Sequence, residues 1–268
     1  KSQVQNTRAP VNQALTNYKA FIADREKLSI FPALLTDIDA ALEGLEKLDF
    51  ARSLVDQRIK KQALPDKPTG KFWTYRTIVT MIQALNKSSR QVVLLASSNQ
   101  KLSLLASTYR NALYAKEMFM RQIANVYAGI TRGMVPTTFA EMQRLHGLES
   151  SFVADFLNYA PADVRRHFTE SLGGQNFYKE LTGLYLDIRK KANTTINEHL
   201  PIDTKEWLAT GHQVTTGYTS VINNVLNKIE STKNTLVADA QSVVNNTILI
   251  IVVLIVVLFL VSTKIIAS

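Results

Sequence analysis

The stretch Thr247-Ile-Leu-Ile-Ile-Val-Val-Leu-Ile-Val-Val-Leu-Phe-Leu-Val261 constrains this chain more than any other part of it. It contains no charge, glycine or proline, and it lies between Asn245-Asn246 and Ser262-Thr263-Lys264. Extended to Ala267, with the Lys264 ammonium reaching up to the headgroups, it measures about 20 residues. That is enough for a helix to cross a hydrocarbon core of roughly 30 Å. The competing reading is a buried strand or core helix, but soluble domains rarely bury so long an apolar run on every face. Its position excludes a signal peptide. The sequence thus predicts a membrane-anchored protein, with a transmembrane helix over 247–267, a juxtamembrane helix over 241–246 and a helical domain over 1–240. Lys264, the charge beyond the span, belongs on the cytoplasmic side.

The rest of the chain reads as helix. Only 10 glycines and 7 prolines occur in 268 residues, and they cluster at a few points, which argues for long helices with few turns. Val11, Leu15 and Tyr18 begin a first helix that stops near Pro32. A second helical region runs from Pro32 to about Leu64, with Leu34, Leu35, Ile38, Leu42, Leu45, Leu48, Val55 and Ile59 on an apolar stripe. Pro65-Asp66-Lys67-Pro68-Thr69-Gly70 reads as a loop. Helices follow over Trp73–Leu95 and Leu102–Ile130, with a break at Gly133 and Pro136.

Thr138 and Glu141 have capping-box spacing, so the next helix is expected to start there and to reach Tyr159. Pro161 suits the first position of a short helix ending before Gly173-Gly174. Phe177 to about Ala192 is helical, and Asp203 with Glu206 is spaced to cap the last helix. That helix carries Val214, Tyr218, Val221, Val225, Ile229, Leu236, Ala240 and Val243 at three-or-four spacing, with no proline between Asp203 and Val261. It reads as one rod leaving the domain and entering the bilayer.

Composition narrows the chemistry. Without cysteine there are no disulfides, thiolate metal sites or cysteine nucleophiles. The net charge of +9 is spread out, and Arg165-Arg166-His167 and Arg189-Lys190-Lys191 are the tight clusters, each read as a solvated helix face. That pattern speaks against nucleic acid and for small anions or an anionic lipid surface. Glycine-rich phosphate loops, His-Glu-x-x-His and Gly-x-Ser-x-Gly do not occur. His146, His167, His199 and His212 lack ligand spacing, and Asp37/Asp39 and Glu43/Glu46 read as exposed helix residues. The expectation is a non-enzyme without metal or cofactor.

The segment Tyr109-Arg110-Asn111-Ala112-Leu113-Tyr114-Ala115-Lys116-Glu117 stands apart, together with Gln143, Phe152, Phe156 and Ala160 at helical spacings and then Leu200-Pro201-Ile202-Asp203 and Trp207. With Thr7-Arg8 through Phe21, Leu48 to Asp56 and the Tyr75 helix, this series resembles the nitrate- and nitrite-sensing (NIT) domain of bacterial membrane sensors such as chemotaxis receptors. The resemblance spans nearly the whole part before the apolar run. It implies an all-α fold of long up-down helices in two stacked four-helix bundles, ligand sensing outside the inner membrane, homodimers or higher homo-oligomers, and a cytoplasmic signalling module. Two departures bear on the ligand. The family follows its Lys-Glu pair with a glycine and a Glu-Arg-Ala whose arginine helps hold the anion, whereas Ile123 stands at that place here. Arg121 is no simple substitute, because two residues along a helix is about 200° of rotation. The family's Gln-x-Glu-Arg-Gly is absent, Lys1 falling just after where it would sit.

Three function classes follow. The first is an extracytoplasmic sensor that binds a small ligand, an anion in the first instance, and relays binding through its last helix. The second is an anchored structural or assembly protein that self-associates or binds a partner without a small-molecule ligand. The third is a tail-anchored protein facing the cytosol. The candidate ligand-binding residues are Arg110, Lys116 and Arg121, and Thr247, Val261 and Lys264 mark the span.

Overall fold

The computed structural model describes residues 8–57, 61–64, 67–190 and 197–266, with the side chains of 61–64, 67–74, 88, 92, 249 and 252–266 outside that description. The elements run α1 (Arg8–Phe21), α2 (Arg25–Leu28), α3 (Pro32–Leu45), α4 (Leu48–Asp56), β1 (Lys61–Leu64), β2 (Lys67–Trp73) and α5 (Thr74–Leu95). After a 3-10 turn (Ala96–Ser98) come α6 (Gln100–Arg132), α7 (Pro136–Tyr159), α8 (Ala162–Phe168), a π turn (Thr169–Gly173), α9 (Asn176–Lys190) and α10 (Thr204–Ile266). The all-helical expectation holds for almost all of it.

Four helices, α6, α7, α9 and α10, enclose the main core. Phe119 and Val126 from α6, Phe156 from α7, Tyr185 from α9, and Trp207 and Tyr218 from α10 meet in one apolar cluster. Helix α10 runs antiparallel to α6, since Trp207 donates its indole N–H to the Ile123 carbonyl (3.1 Å) while the Lys116 ammonium reaches Thr219 Oγ1 (2.8 Å). The other half of the chain is looser. Helix α5 packs along α6 and α3 along α5, and small clusters form around Ala51, Leu54 and Met81 and around Ile22, Leu28 and Ile38. Each small cluster buries few apolar groups, so the stability of the chain rests mainly on the four-helix core.

Several boundaries differ from the sequence reading, each for a local reason. The helix expected from Pro32 to Leu64 divides between α3 and α4, and its last residues instead form β1, paired antiparallel with β2. Residues 67–70 of the expected loop are therefore strand, while 65–66 and Ile59 lie outside the described residues. Val55, placed on the apolar stripe, is exposed at 39%, and Leu54 is buried in its stead. Helix α7 starts at Pro136 rather than at Thr138, with proline in the first turn and no side-chain cap. Proline's fixed φ and missing N–H suit that position, so no capping side chain is needed. The Asp203 cap forms as expected, its Oδ1 accepting from the Glu206 N–H at 2.8 Å.

At the far end of the bundle, α6 stops at Gly133, whose φ of 89° favours glycine. There the Met134 N–H donates to the Glu198 carbonyl (2.8 Å), the Leu200 N–H to the Gly129 carbonyl (3.1 Å), and His199 Nδ1 meets the Ile130 carbonyl (2.9 Å). This clamp satisfies carbonyls that a helix end leaves open. At the other end α10 keeps going. Thr232 is the last buried residue among those whose side chains are described, and Val237, Val243, Val244, Ile248, Ile250 and Ile251 are all exposed. The backbone is one helix of 63 residues to Ile266. No helix among the described residues is long and apolar enough to cross a membrane. Most of the apolar run, with Val261 and Lys264, has its side chains outside the description.

Candidate functional site

Helix α6 is the spine of the site, and its faces meet different neighbours. Lys116, Met120 and Ile123 recur at helical spacing along the edge that faces α10. Across the seam stand Thr219, Thr215 and Gly211. Thr215 Oγ1 contacts Met120 Sδ at 3.0 Å, and a methyl on Gly211 would sit 2.7 Å from Ile123 Cδ1. So Ile123 fills the seam with an apolar side chain. The Lys116 ammonium is half-buried, its pKa pushed down by burial, and it donates to the Thr219 hydroxyl. No carboxylate among the described residues pairs with it.

The other two sequence candidates face elsewhere. Arg121 forms a structural ion-pair network, reaching Glu141 at 3.0 Å and the buried Glu117 at 3.7 Å, with Arg144 holding Glu141 from the far side (2.7 Å). Glu117 in turn accepts from Asn86 Nδ2 (2.8 Å), which joins α5 to α6. Arg110 lies on the same face as Tyr114, Glu117 and Arg121 and acts electrostatically on the Tyr114 hydroxyl. The structure therefore separates Lys116, on the α10 edge, from Arg110 and Arg121, on the α5 and α7 side.

A second polar centre escaped the sequence reading. Glu149 of α7 is 4% exposed and is surrounded by all four core helices. Its Oε1 accepts from the Tyr218 hydroxyl (2.6 Å) and the Tyr178 hydroxyl (3.5 Å), and its Oε2 accepts from Gln122 Nε2 (2.7 Å). Burial drives its pKa up, and the three hydrogen bonds only partly offset this. His146 stacks on Tyr185 (5.2 Å between centroids), which meets Trp207 edge-on (6.1 Å). Gln122 Oε1, His146 Nδ1 and Tyr185 Oη are buried without a hydrogen-bond partner. The signal was present in the sequence: Glu149 continues the series Met142, Leu145 and Phe156, an acid placed on an apolar stripe.

Two more sequence readings are corrected here. Asp37 is buried at 4% exposure, not a plain surface residue, and bonds to Lys87 (3.0 Å) and Gln91 (3.1 Å). His167, read as part of a solvated face, is drawn inward to Ser220 (3.0 Å) and Ser171 (3.2 Å) beside the π turn. That turn presses on α10 at Gly217 and walls one side of an open groove of about 480 Å³ lined in part by His212, Thr216 and Phe177. Among the described residues no group of acids and histidines is placed to hold a metal ion.

Four packed helices, the last of which extends beyond the core, define an all-helical bundle domain. The chain belongs to the NIT family, nitrate and nitrite sensing, whose family model matches residues 1–230. No solved structure and no curated protein matches it.

Proposed function

We propose that this chain is the extracytoplasmic sensor part of a bacterial inner-membrane signalling protein, a chemoreceptor or a related receptor, which binds a small anion and reports it through α10. The observation that carries the reading is the double role of α10. Its first half supplies Trp207, Tyr218 and Val225 to the core, and past Thr232 the same unbroken helix leaves the bundle. A rod of this kind transmits a small shift at the seam as a shift of its far end. The apolar run from Thr247 to Ala267 is the membrane span of this proposal, with Lys264 on the cytoplasmic side, and a homodimer and a cytoplasmic signalling module complete it.

The ligand reading centres on Lys116. A half-buried ammonium without a carboxylate supplies the positive charge that a buried anion requires, and Thr219 supplies a hydroxyl beside it. A planar oxyanion such as nitrate is best held by an arginine fork, and Ile123 removes it. The chain is thus expected to bind nitrate far more weakly than an arginine-bearing member would, with Lys116 carrying what affinity remains.

Isothermal titration of the chain with sodium nitrate, sodium nitrite and sodium chloride tests this. The expected result is binding weaker than micromolar that is lost in Lys116→Met. Micromolar nitrate affinity, or anion binding unchanged in Arg110, Lys116 and Arg121 charge-removal variants alike, overturns it. Reconstitution into vesicles followed by protease protection tests the anchor: the bundle and Lys264 on the same side of the bilayer refutes the span.

A further inference from the structure

The Glu149 centre has no part in the anion reading, yet it is where all four core helices meet through polar groups. Each helix contributes: Gln122 from α6, Glu149 and His146 from α7, Tyr178 and Tyr185 from α9, and Tyr218 from α10. We propose that Glu149 is a proton-binding latch whose protonation state sets how firmly α10 is held to the rest of the bundle.

The two oxygens of Glu149 have different roles. Oε1 takes both tyrosine hydroxyls, and Oε2 accepts its hydrogen bond from Gln122, with His146 Nδ1 further off at 3.9 Å. When the carboxyl is ionised, the Tyr218 bond is charge-assisted, and such bonds are roughly twice as strong as neutral ones. A proton taken from solvent onto Oε2 turns that oxygen into a donor. The acceptor it needs is already beside it: a flip of the Gln122 amide presents Oε1, which is buried without a partner. Protonation therefore gives Gln122 Oε1 a bond and removes a buried charge, while the Tyr218 tether to α10 drops to a neutral hydrogen bond. The flip exchanges the bond that Gln122 Nε2 gives to Oε2 for the new one from the carboxyl O–H to Gln122 Oε1, so the number of bonds between the two side chains is unchanged.

The surroundings favour a proton on Glu149 rather than on a neighbour. Around it α6 presents the uncharged Gln122, and α9 and α10 present the phenols Tyr178, Tyr185 and Tyr218, whose own pKa values burial raises. On its own helix, His146 Nδ1 lies 3.9 Å from Oε2, and burial together with the Arg189 charge lowers its pKa, which disfavours its imidazolium form. The forces acting on Glu149 are burial and hydrogen bonds, with no cation among them to hold it ionised. Buried carboxyls in such settings titrate well above the ordinary range.

The chain has no cysteine, so two introduced thiols label cleanly. Ser150→Cys on α7 and Asn227→Cys on α10 are exposed positions for spin labels whose separation reports the distance between the two helices that the Tyr218–Glu149 bond ties together. The experiment uses the full chain in detergent, without added nitrate, between about pH 5 and about pH 8. Infrared difference spectra of the same samples follow the protonated carboxyl. The expected result is a carboxylic-acid band that disappears at a pH above the ordinary glutamate value of 4.5 and is missing in Glu149→Gln. The label distances should broaden toward acid in the parent chain and stay broad at every pH in Glu149→Gln.

A Glu149 that titrates at or below 4.5 overturns the proposal. So does a distance distribution indifferent to pH, or one that follows pH equally in Glu149→Gln. Tyr218→Phe keeps the carboxyl and removes its tie to α10, so it must retain the infrared step and lose the pH response of the distances. A surviving response in that variant equally refutes the latch.

Discussion

Replacing Gly217 by alanine tests whether the π turn is held against α10 by close backbone approach. In a helix interior, glycine to alanine normally stabilises by about 1 kcal/mol, because alanine loses less backbone freedom on folding. At Gly217 a new methyl would stand 2.7 Å from the Ser171 carbonyl oxygen and 2.9 Å from Leu172 Cδ1. The first neighbour is backbone in a turn packed on its own helix, so it cannot rotate away. Overpacking of this kind costs about 1–3 kcal/mol, toward the upper end when main chain must move. The net expectation is a loss of about 1–2 kcal/mol. Gly183 of α9 is the matched control, since a methyl there meets nothing within 4 Å. Gly183→Ala should gain about 1 kcal/mol. The two variants then differ by about 2–3 kcal/mol. For a domain of this size that corresponds to melting temperatures roughly 4–12 °C apart, with Gly217→Ala the lower. Thermal unfolding followed by far-ultraviolet circular dichroism measures it. Equal shifts in the same direction would show that the turn yields freely and would refute the argument from close approach.

Other outcomes follow from the charged groups. Arg121→Met strips the cation from buried Glu117 and leaves Glu141 to Arg144 alone, and should destabilise by about 3 kcal/mol in denaturant titration. A loss below about 0.5 kcal/mol would mean that the network is solvent-screened. Lys116→Met should fold and be the more stable chain near neutral pH, because it removes an ammonium whose burial is disfavoured. A lysine with a lowered folded pKa regains stability as pH rises toward 10.5, so the gap between parent and variant should narrow in that direction. Glu149→Gln has the opposite sense. A carboxyl with a raised folded pKa contributes stability that is full below 4.5 and is lost as pH climbs through the folded value. The variant should therefore be more stable than the parent near neutral pH and indistinguishable from it in acid. Unfolding curves at several pH values decide both.

The sequence was most informative where structure is decided locally. Scarce glycine and proline with three-or-four apolar spacing placed α5, α6, α7 and α9 within a few residues, because helix formation and its punctuation depend on neighbours in the chain. The Asp203 cap and the uninterrupted α10 were legible for the same reason. Where two local signals compete, the reading failed: Thr138 and Glu141 have capping-box spacing, but Pro136 starts the helix two residues earlier. The strand Lys61–Leu64 carries the lysine and glutamine of a helix face, and pairing with Lys67–Trp73 overrides that pattern.

What the chain alone determined is a helical bundle of the NIT family with an apolar run at its end. Only the tertiary structure decided which polar side chains act together. It separated Lys116 from Arg110 and Arg121, turned Arg121 into a structural ion pair, set Ile123 against Gly211, and buried Asp37 and Glu149. Helical periodicity tells which residues share a face, but the partner across the seam is set by packing between helices far apart in sequence. Tyr218 reaches Glu149 only because α10 folds back along α6.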